Sequence, residues 1–350
     1  MIKQDLKELI DKLEVNQVLT RDEYASLIAN VSPDLSTYLF KKSKKAREKY
    51  YGKDVYIRGL IEFTNYCRND CYYCGIRASN CNIARYRLTK EQILNCCDTG
   101  YSLGFRTFVL QGGEDLSYKD EVFSDIIRSI KNKYPDCAIT LSVGERSYES
   151  YKMYREAGAD RYLLRHETAN PNHYALLHPA KLSAENRKRC LYDLKKLGYQ
   201  IGSGFMVGSP FQTPEFLAED LLFLHELQPQ MVGIGPFIPH HETPFAKEIG
   251  GTIELTLFML GLIRLILPKA LMPATTAIGT IDPFGREKAI CAGANVVMPN
   301  LSPLDVRESY MIYDHKICTG DEAAECLECM KLRIKGVGYQ VVVARGDAAV

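Results

Sequence analysis

The sequence of 350 residues predicts an α/β fold, a (βα)8 TIM-type barrel with an N-terminal helical extension and a short C-terminal extension. From Val55 onward, short apolar segments alternate with helical stretches through eight repeats, as in βα units. Several of the helical stretches are followed by leucine or alanine and then a glycine, which is typical of a helix end leading into a strand. A doubly wound open sheet is the alternative, because the assignment depends on the strand count.

The N-terminal extension is predicted to be helical over residues 3–51 and to end at Gly52. Thr20 and Glu23 have the spacing of a capping box, and Pro33 suits the first turn of a helix. Further helices begin at Thr89 and Thr213. The glycines expected at helix ends are Gly100, Gly158 and Gly198.

The eight predicted strands are Val55–Ile61, Thr107–Gln111, Ala138–Leu141, Arg161–Arg165, Ile201–Met206, Met231–Ile234, Met272–Thr276 and Asn295–Met298. These elements divide the chain into an extension over 1–52, a barrel over 53–310 and a C-terminal extension over 311–350.

Composition excludes several classes of function. The net charge of +1 gives no electrostatic reason to expect nucleic acid or an acidic membrane surface as a partner. We interpret the basic cluster of Lys44, Lys45 and Arg47 as a solvated helix face. The longest apolar stretch, 255–267, contains Arg264 and is shorter than the ~18 residues of a membrane span.

The twelve cysteines predict a cytoplasmic protein with reduced thiols, because the N-terminus is polar and shows no export signal. Three of them, Cys67, Cys71 and Cys74, follow the first predicted strand directly. That position places them at the carboxyl ends of the barrel strands, where barrel enzymes have their active sites.

The C-x3-C-x2-C spacing of these cysteines supplies three thiolates, which leave one iron of a cubane iron–sulfur cluster open to another ligand. A structural zinc site takes four ligands, and Cys81 is the only nearby candidate for the fourth. The spacing resembles that of the radical S-adenosyl-L-methionine (SAM) enzymes, which implies a [4Fe-4S] cluster that binds and cleaves SAM.

Polar residues at other strand ends suit such a ligand. Gly112, Gly113 and Glu114 follow the second strand, and the glycines allow close backbone approach. Arg165 and Glu167 end the fourth strand, where buried charges need partners that either a ligand or a surface salt bridge provides. The other candidates are Arg187 for a carboxylate, Met206 or Phe237 for adenosine, and Thr275 and Thr276 for a small polar substrate. An exposed arginine, packing at barrel corners and backbone-bonded threonines are the structural alternatives.

Five longer segments, 67–77, 110–115, 164–171, 231–240 and 290–300, together resemble the HydE family of radical SAM maturases of [FeFe]-hydrogenase. The resemblance spans nearly the whole chain. It implies that Cys67, Cys71 and Cys74 hold the cluster and that Tyr73 packs near the adenine. It assigns to SAM the residues Gly112, Gly113, Glu114, Glu167 and Arg187, and to the substrate the residues Arg165, Thr275 and Thr276.

The resemblance further implies reductive cleavage of SAM to a 5′-deoxyadenosyl radical, acting on an organometallic iron–cysteine precursor of the hydrogenase cluster. The implied partners are a reductant such as ferredoxin or flavodoxin and the other hydrogenase maturases. Cys318, Cys326 and Cys329 match a position where some members bind a second iron–sulfur cluster. His178 departs from the arginine common in the family, a change that we expect to alter a surface contact.

Other functions remain open at this point. A biotin synthase or methylornithine synthase would act on a small, amino-acid-like substrate, but Cys137 and Cys190 do not suggest the second cluster of biotin synthase. A simple electron-transfer protein would hold a cluster without cleaving SAM. A scaffold would only carry a cofactor precursor.

Overall fold

The computed structural model describes residues 6–320 and 327–349. Its helices are α1 (Leu6–Asn16), α2 (Arg21–Ala29), α3 (Pro33–Tyr51), α4 (Lys90–Ser102), α5 (Asp120–Lys133), α6 (Tyr148–Glu156), α7 (Pro171–Leu177), α8 (Ala184–Lys196), α9 (Pro214–Leu227), α10 (Ile253–Ile266), α11 (Thr276–Ile281), α12 (Gly285–Ala292), α13 (Leu304–Arg307) and α14 (Leu327–Gly336). Its strands are β1 (Asp54–Ile57), β2 (Gly59–Thr64), β3 (Thr107–Gly112), β4 (Ala138–Ser142), β5 (Arg161–Leu163), β6 (Gln200–Ser203), β7 (Met206–Val207), β8 (Met231–Val232), β9 (Gly235–Pro236), β10 (Val296–Val297) and β11 (Gln340–Val342).

The strands close into a parallel ring, which confirms the predicted barrel. Six strands pair in the order β2-β3-β4-β5-β6-β8. Isolated bridges continue the ring from Met231 to Leu271 and from Pro273 to Val296. The ring closes where the Leu60 N–H donates to the Pro299 carbonyl at 2.9 Å and Leu60 accepts from the Leu301 N–H at 2.7 Å.

Several predicted strands are divided in the structure. Val55–Ile61 becomes β1 and β2, and β1 pairs with β10 and β11 instead of β3. Two further predicted strands are also interrupted, Ile201–Met206 and Met231–Ile234. These two segments lie very close together at Gly204, where a Cβ would lie 2.0 Å from the Gly233 carbonyl oxygen. The seventh predicted strand, Met272–Thr276, is reduced to isolated bridges at Leu271 and Pro273, and Thr276 already begins α11.

The predicted helix signals are mostly confirmed. Thr20 and Thr89 form capping boxes, and Pro33 lies in the first turn of α3. Gly158 and Gly198 have the positive φ of a left-handed turn, whereas Gly100 lies inside α4 and Gly104 makes the turn instead. Helix caps and glycine turns depend only on the backbone conformation of a few neighbouring residues. They can therefore be predicted directly from the sequence.

The interpretation of the basic cluster is wrong for one residue. Lys44 and Lys45 are exposed, but Arg47 is fully buried. Its Nη2 donates to the Asp54 carbonyl at 2.7 Å, and its guanidinium lies 3.9 Å from the centre of the Tyr339 ring. Arg47 therefore joins the helical extension to the end of the barrel.

The apolar stretch 255–267 forms α10, a helix that is buried along most of its length. The Arg264 guanidinium donates hydrogen bonds to the carbonyl groups of Pro268, Ala270 and Gly293 at 2.8–2.9 Å. These bonds offset the cost of burying its charge among apolar residues. Across residues 6–320 and 327–349, no helix has the length and apolar character needed to cross a membrane.

The C-terminal segment closes the amino end of the barrel. Strand β11 pairs with β1, and the following residues pass beneath the ring. Arg161, which is fully buried at the start of β5, donates to Asp347 Oδ1 at 2.5 Å and to the Arg345 carbonyl at 2.9 Å. Arg345 in turn contacts Asp160 at 3.1 Å. The buried Arg161 at the amino end of the barrel therefore depends on the carboxylate of Asp347, in the C-terminal segment.

We predict that Asp347→Asn lowers the free energy of unfolding by about 2 kcal/mol, because the buried Arg161 loses its anionic partner. Although burial raises the pKa of Asp347, hydrogen bonds from Arg161 and Arg345 hold it at about 2. A carboxyl group with a lowered pKa contributes its full stability above its ordinary pKa, so the loss should be equal at pH 6 and pH 8.

Urea titration of the anaerobic protein measures this difference. Glu328→Ala is the control, because it removes an exposed pair with Lys331 and should cost less than about 0.5 kcal/mol. Equal stability of Asp347→Asn and the unmodified protein would contradict the assignment.

Candidate active site

A cavity of about 370 Å³ lies inside the ring at the carboxyl ends of the strands. Its wall contains residues from nearly every strand end and includes all but the accessory cysteines of the predicted site. The predicted residues that line it are Cys67, Cys71, Tyr73, Cys74, Gly112, Gly113, Glu114, Arg165, Glu167, Arg187, Met206, Thr275 and Thr276. The structure therefore brings together residues that are far apart in the sequence.

The three cysteines lie on the loop after β2 as free, half-buried thiols. Burial raises the pKa of each thiol, to about 12 for Cys74, and neighbouring cysteines add to the effect for Cys71 and Cys74. The thiols are therefore protonated in the absence of a cation. Because metals bind thiolates, loading this site must release protons.

The spacing of the sulfur atoms disfavours a single metal ion. Among the described residues, the only three Cys, His, Asp or Glu ligand atoms within 4.8 Å of one another belong to His240, His241 and Asp314. His240 Nδ1 accepts a hydrogen bond from the Glu242 N–H, so its Nε2 carries the proton and has no free lone pair for a metal. The cysteine sulfurs are spread more widely, as a polynuclear cluster requires.

Arg85 organises the cysteine loop, and the sequence analysis missed it. Its guanidinium donates to the carbonyl groups of Asn65, Ile76, Arg77 and Asn80, in a loop that has little regular backbone pairing. Such carbonyls would otherwise remain unsatisfied beside the cavity. No local sequence pattern announces a role for this arginine, because its partners are main-chain atoms.

The glycine turn after β3 packs directly on the cysteine loop. A Cβ on Gly113 would lie 2.2 Å from the Tyr66 carbonyl oxygen, so only glycine fits. The Glu114 N–H donates to Cys67 Sγ at 3.4 Å. The Glu114 carboxylate is already bound, to Arg68 at 2.9 Å and to the Glu145 N–H at 2.8 Å. The Gly113 N–H donates to the Thr64 carbonyl at 3.3 Å, so the turn is held by protein partners, and each Glu114 oxygen keeps a further lone pair that can accept from a ligand.

The charges on the opposite wall are incompletely satisfied. Arg165 Nη2 and Glu167 Oε2 are 2.9 Å apart, yet neither is aligned for a hydrogen bond. The buried Nε of Arg165 has no partner among the described residues. Arg187 lies 2.8 Å from Glu145 Oε1, again without hydrogen-bond alignment. Buried polar atoms in this state are costly unless a ligand satisfies them.

The inner end of the cavity carries a second unsatisfied group. Thr275 Oγ1 is buried and has no hydrogen-bond partner in the described part of the chain. Thr275 and Thr276 lie at the start of α11, close to the backbone of Gly235. The structural alternative of a backbone-bonded hydroxyl is therefore excluded for Thr275.

An aromatic cluster forms the apolar side of the cavity. Met206, Phe237 and Phe245 are buried together, with Tyr72 and Tyr73 against them. This surface suits a planar, uncharged ring.

His178 does not make the expected surface contact, because it is 1% exposed. Its Nδ1 donates to the Tyr174 carbonyl at 2.9 Å, which leaves Nε2 to accept from the Tyr73 hydroxyl at 3.1 Å. The departure from arginine thus affects the position of Tyr73, which lines the cavity.

A buried ion pair at the cavity wall also escaped the sequence analysis. Lys316 Nζ contacts both Glu62 carboxylate oxygens, at 2.7 and 2.9 Å, and the Tyr310 carbonyl at 2.9 Å. Glu62 lies just after the predicted end of the first strand, and Lys316 lies in the predicted C-terminal extension. The residues following 310 therefore take part in the cavity wall.

The accessory cysteines lie away from this cavity. Cys318 is buried and accepts a hydrogen bond from Arg286 Nη2 at 3.0 Å, whereas Cys329 is exposed. Cys326 lies outside the described residues. Cys137 and Cys190 are buried elsewhere and do not line the cavity.

The residues present fit a [4Fe-4S] cluster with SAM as its ligand. Three widely spaced thiols suit the cluster, and the unsatisfied Arg165, Glu167 and Arg187 suit a ligand with both an amino and a carboxylate group. The apolar side beside Tyr73 suits a purine.

Comparison with known proteins agrees with this geometry. Residues 61–224 match the radical SAM superfamily. The [FeFe] hydrogenase maturase subunit HydE of Thermotoga maritima is 47% identical over 332 residues, which cover 95% of this chain and 94% of that protein. The 3-methylornithine synthase of Methanosarcina acetivorans is 28% identical, over 97% of this chain and 95% of that enzyme.

Solved structures show the same fold. The crystal structure of methylornithine synthase (PylB) has a TM-score of 0.83 at 26% identity and covers 95% of this chain and 97% of its own. HydG, a maturase of the [FeFe]-hydrogenase, has a TM-score of 0.80 at 20% identity, covering 97% of this chain and 76% of its own. Because 47% identity extends over almost the full length of both sequences, the chain belongs to the radical SAM superfamily and, within it, to the family of the [FeFe] hydrogenase maturase subunit HydE.

Proposed function

We propose that this protein binds a [4Fe-4S] cluster through Cys67, Cys71 and Cys74 and reductively cleaves SAM to a 5′-deoxyadenosyl radical. We further propose that it acts on an organometallic iron–cysteine precursor during assembly of the [FeFe]-hydrogenase cluster. The observation that carries the proposal is the position of three free thiols in a cavity wall that also holds buried polar atoms of Arg165, Glu167, Arg187 and Thr275 without a hydrogen-bond partner in the described chain. When bound, the cluster supplies an open iron for SAM and the electron for its cleavage.

Different residues of the cavity wall would bind SAM and the substrate. Gly112, Gly113 and Glu114, together with Glu167 and Arg187, would orient the amino-acid part of SAM. Tyr73 and Met206 would hold the adenine against the apolar side. Enclosure within the barrel would exclude water, which protects a reactive radical from side reactions.

The substrate would occupy the inner end, between Arg165, Thr275 and Thr276. Three carboxylates line the cavity, and each faces a cation: Glu62 faces Lys316, Glu114 faces Arg68 and Glu167 faces Arg165. Because Glu62 is held by Lys316 and the other two are assigned to SAM, the described wall has no carboxylate left to bind a diamino acid. This favours a neutral or anionic ligand over the amino-acid-like substrate of a methylornithine synthase, which remains the alternative.

Two simpler functions account for less of the structure. An electron-transfer protein has no use for a cavity of about 370 Å³ with unsatisfied polar groups, and a scaffold has no use for a site open to SAM. We propose a cytoplasmic protein that receives electrons from a ferredoxin or flavodoxin and exchanges substrate and product with other hydrogenase maturases.

Replacement of Cys67, Cys71 or Cys74 by Ala should abolish SAM cleavage, because the cluster loses one of three ligands. The assay is formation of 5′-deoxyadenosine by the anaerobic, dithionite-reduced protein. Cys81→Ala is the matched control, since this exposed thiol does not line the cavity and its loss should leave cleavage unchanged. Cleavage retained in all three variants would refute the cluster assignment.

Thr275→Val should weaken substrate use about tenfold while leaving cluster content and SAM binding unchanged, because it removes a buried hydroxyl that has no hydrogen-bond partner among the described residues. The measurement compares in vitro hydrogenase maturation with SAM binding. Thr280→Val is the control, since Thr280 donates to the Thr276 carbonyl and does not line the cavity. Equal maturation by the Thr275→Val variant and the unmodified protein would argue against this substrate position.

Cys326→Ser should leave SAM cleavage intact, because its neighbouring candidates Cys318 and Cys329 do not line the cavity. Iron and sulfide analysis decides the accessory site: one cluster per chain before and after the change means that this thiol binds none. Loss of cleavage would mean that the C-terminal cysteines carry an essential cluster.

A further inference from the structure

Glu167 has an unusual backbone. Its φ is +65°, a left-handed conformation that residues with a Cβ rarely adopt and that persists only where the surrounding structure holds it. On one side, the Glu167 N–H donates to the Gly204 carbonyl at 3.1 Å, and the Glu167 carbonyl accepts from the Met206 N–H at 3.4 Å. These two hydrogen bonds hold Glu167 against a glycine-rich segment on one side. They do not explain how the backbone is held on the opposite side.

A buried polar chain lies on that other side. His166 is 1% exposed, and its Nε2 is 3.2 Å from Asp220 Oδ1 on α9. Its Nδ1 is 2.9 Å from Ser203 Oγ, which in turn is 3.2 Å from the Leu164 carbonyl. Asp220 Oδ1 also accepts from the Ala169 N–H at 2.5 Å. One carboxyl group thus contacts residues before and after Glu167.

Burial disfavours a charge on this polar chain. It raises the pKa of Asp220 well above its ordinary value and lowers the pKa of His166 to about 3. Both ring nitrogens of His166 are in hydrogen-bond contact, with Asp220 and Ser203, and the Ser203 hydroxyl donates to the Leu164 carbonyl. Asp220 Oδ2 has no hydrogen-bond partner among the described residues, which an uncharged acid tolerates far better than a carboxylate.

We propose that Asp220 and His166 are positioning residues that hold segment 166–169 so that the Glu167 carboxylate faces bound SAM. Neither side chain lines the cavity, so an effect on SAM would pass through the lining residues of the segment that they hold, of which Glu167 has the constrained backbone. This inference rests on the proposed function. It adds residues of α9 and β6, beyond the strand-end motif, to the requirements for SAM binding.

A double-mutant cycle between Asp220→Ala and Glu167→Ala tests the inference. The readout is the dissociation constant of SAM, measured from the SAM-dependent change in the EPR signal of the reduced cluster. Asp220→Ala should raise this constant about tenfold when Glu167 is present and less than about twofold in the Glu167→Ala background. A role in stability alone would change both backgrounds by the same factor.

Two further variants serve as controls. Asp220→Asn keeps an acceptor for the Ala169 N–H and a partner for His166, so SAM affinity should stay within about threefold of the unmodified protein. Asp160→Ala removes a carboxylate that accepts from the Ile139 N–H at 2.9 Å at the amino end of the barrel. It should lower the unfolding midpoint without changing SAM affinity.

The outcomes separate the inference from the proposed function. If Asp220→Ala does not fold, Ser203→Ala replaces it in the cycle, because it shortens the chain but keeps both Asp220 contacts; it should raise the dissociation constant about threefold only when Glu167 is present. Equal effects in both backgrounds would overturn the inference while SAM binding by the unmodified protein stands. A reduced cluster that does not respond to SAM in the unmodified protein would overturn the proposed function itself.

Discussion

The closure of the parallel ring at Leu60 determines where every residue of the candidate site lies. The two main-chain hydrogen bonds between Leu60 and residues Pro299 and Leu301 join the first strand of the barrel to the last segment. Because all barrel strands are parallel, closure brings their carboxyl ends together at one rim. The cysteine loop, the glycine turn and the threonines before α11 come from distant parts of the chain, and only this rim places them around one cavity.

The buried charges of this protein fall into two groups with different meanings. At the amino end of the barrel, Arg161 forms an ion pair with Asp347. In the cavity wall, Lys316 donates to both carboxylate oxygens of Glu62. These pairs are satisfied by the protein, so they report on folding. Arg165 and Glu167 lie close together without satisfying each other. A buried polar group left in this state indicates a missing partner, and here the partner would be a ligand.

The methylornithine synthase and HydE relatives share this barrel, so the fold does not distinguish their substrates. Side chains around the cavity, including some that reach it from outside the strand ends, must therefore set the substrate of each protein. Lys316 comes from beyond the predicted barrel, and His178 orients Tyr73 from the segment after α7. Such contributions explain how one architecture can serve different small molecules.

The sequence by itself determined the barrel, most of its helix ends and many of the residues that line the cavity. These follow from local signals: apolar segments, capping residues and short motifs at strand ends, all of which act within a few residues. Tertiary structure alone decided the roles of Arg47, Arg85, Lys316 and His178, and it showed that Thr275 Oγ1 has no hydrogen-bond partner among the described residues. Those properties depend on contacts between residues distant in sequence or on main-chain atoms, neither of which leaves a pattern in the order of the amino acids.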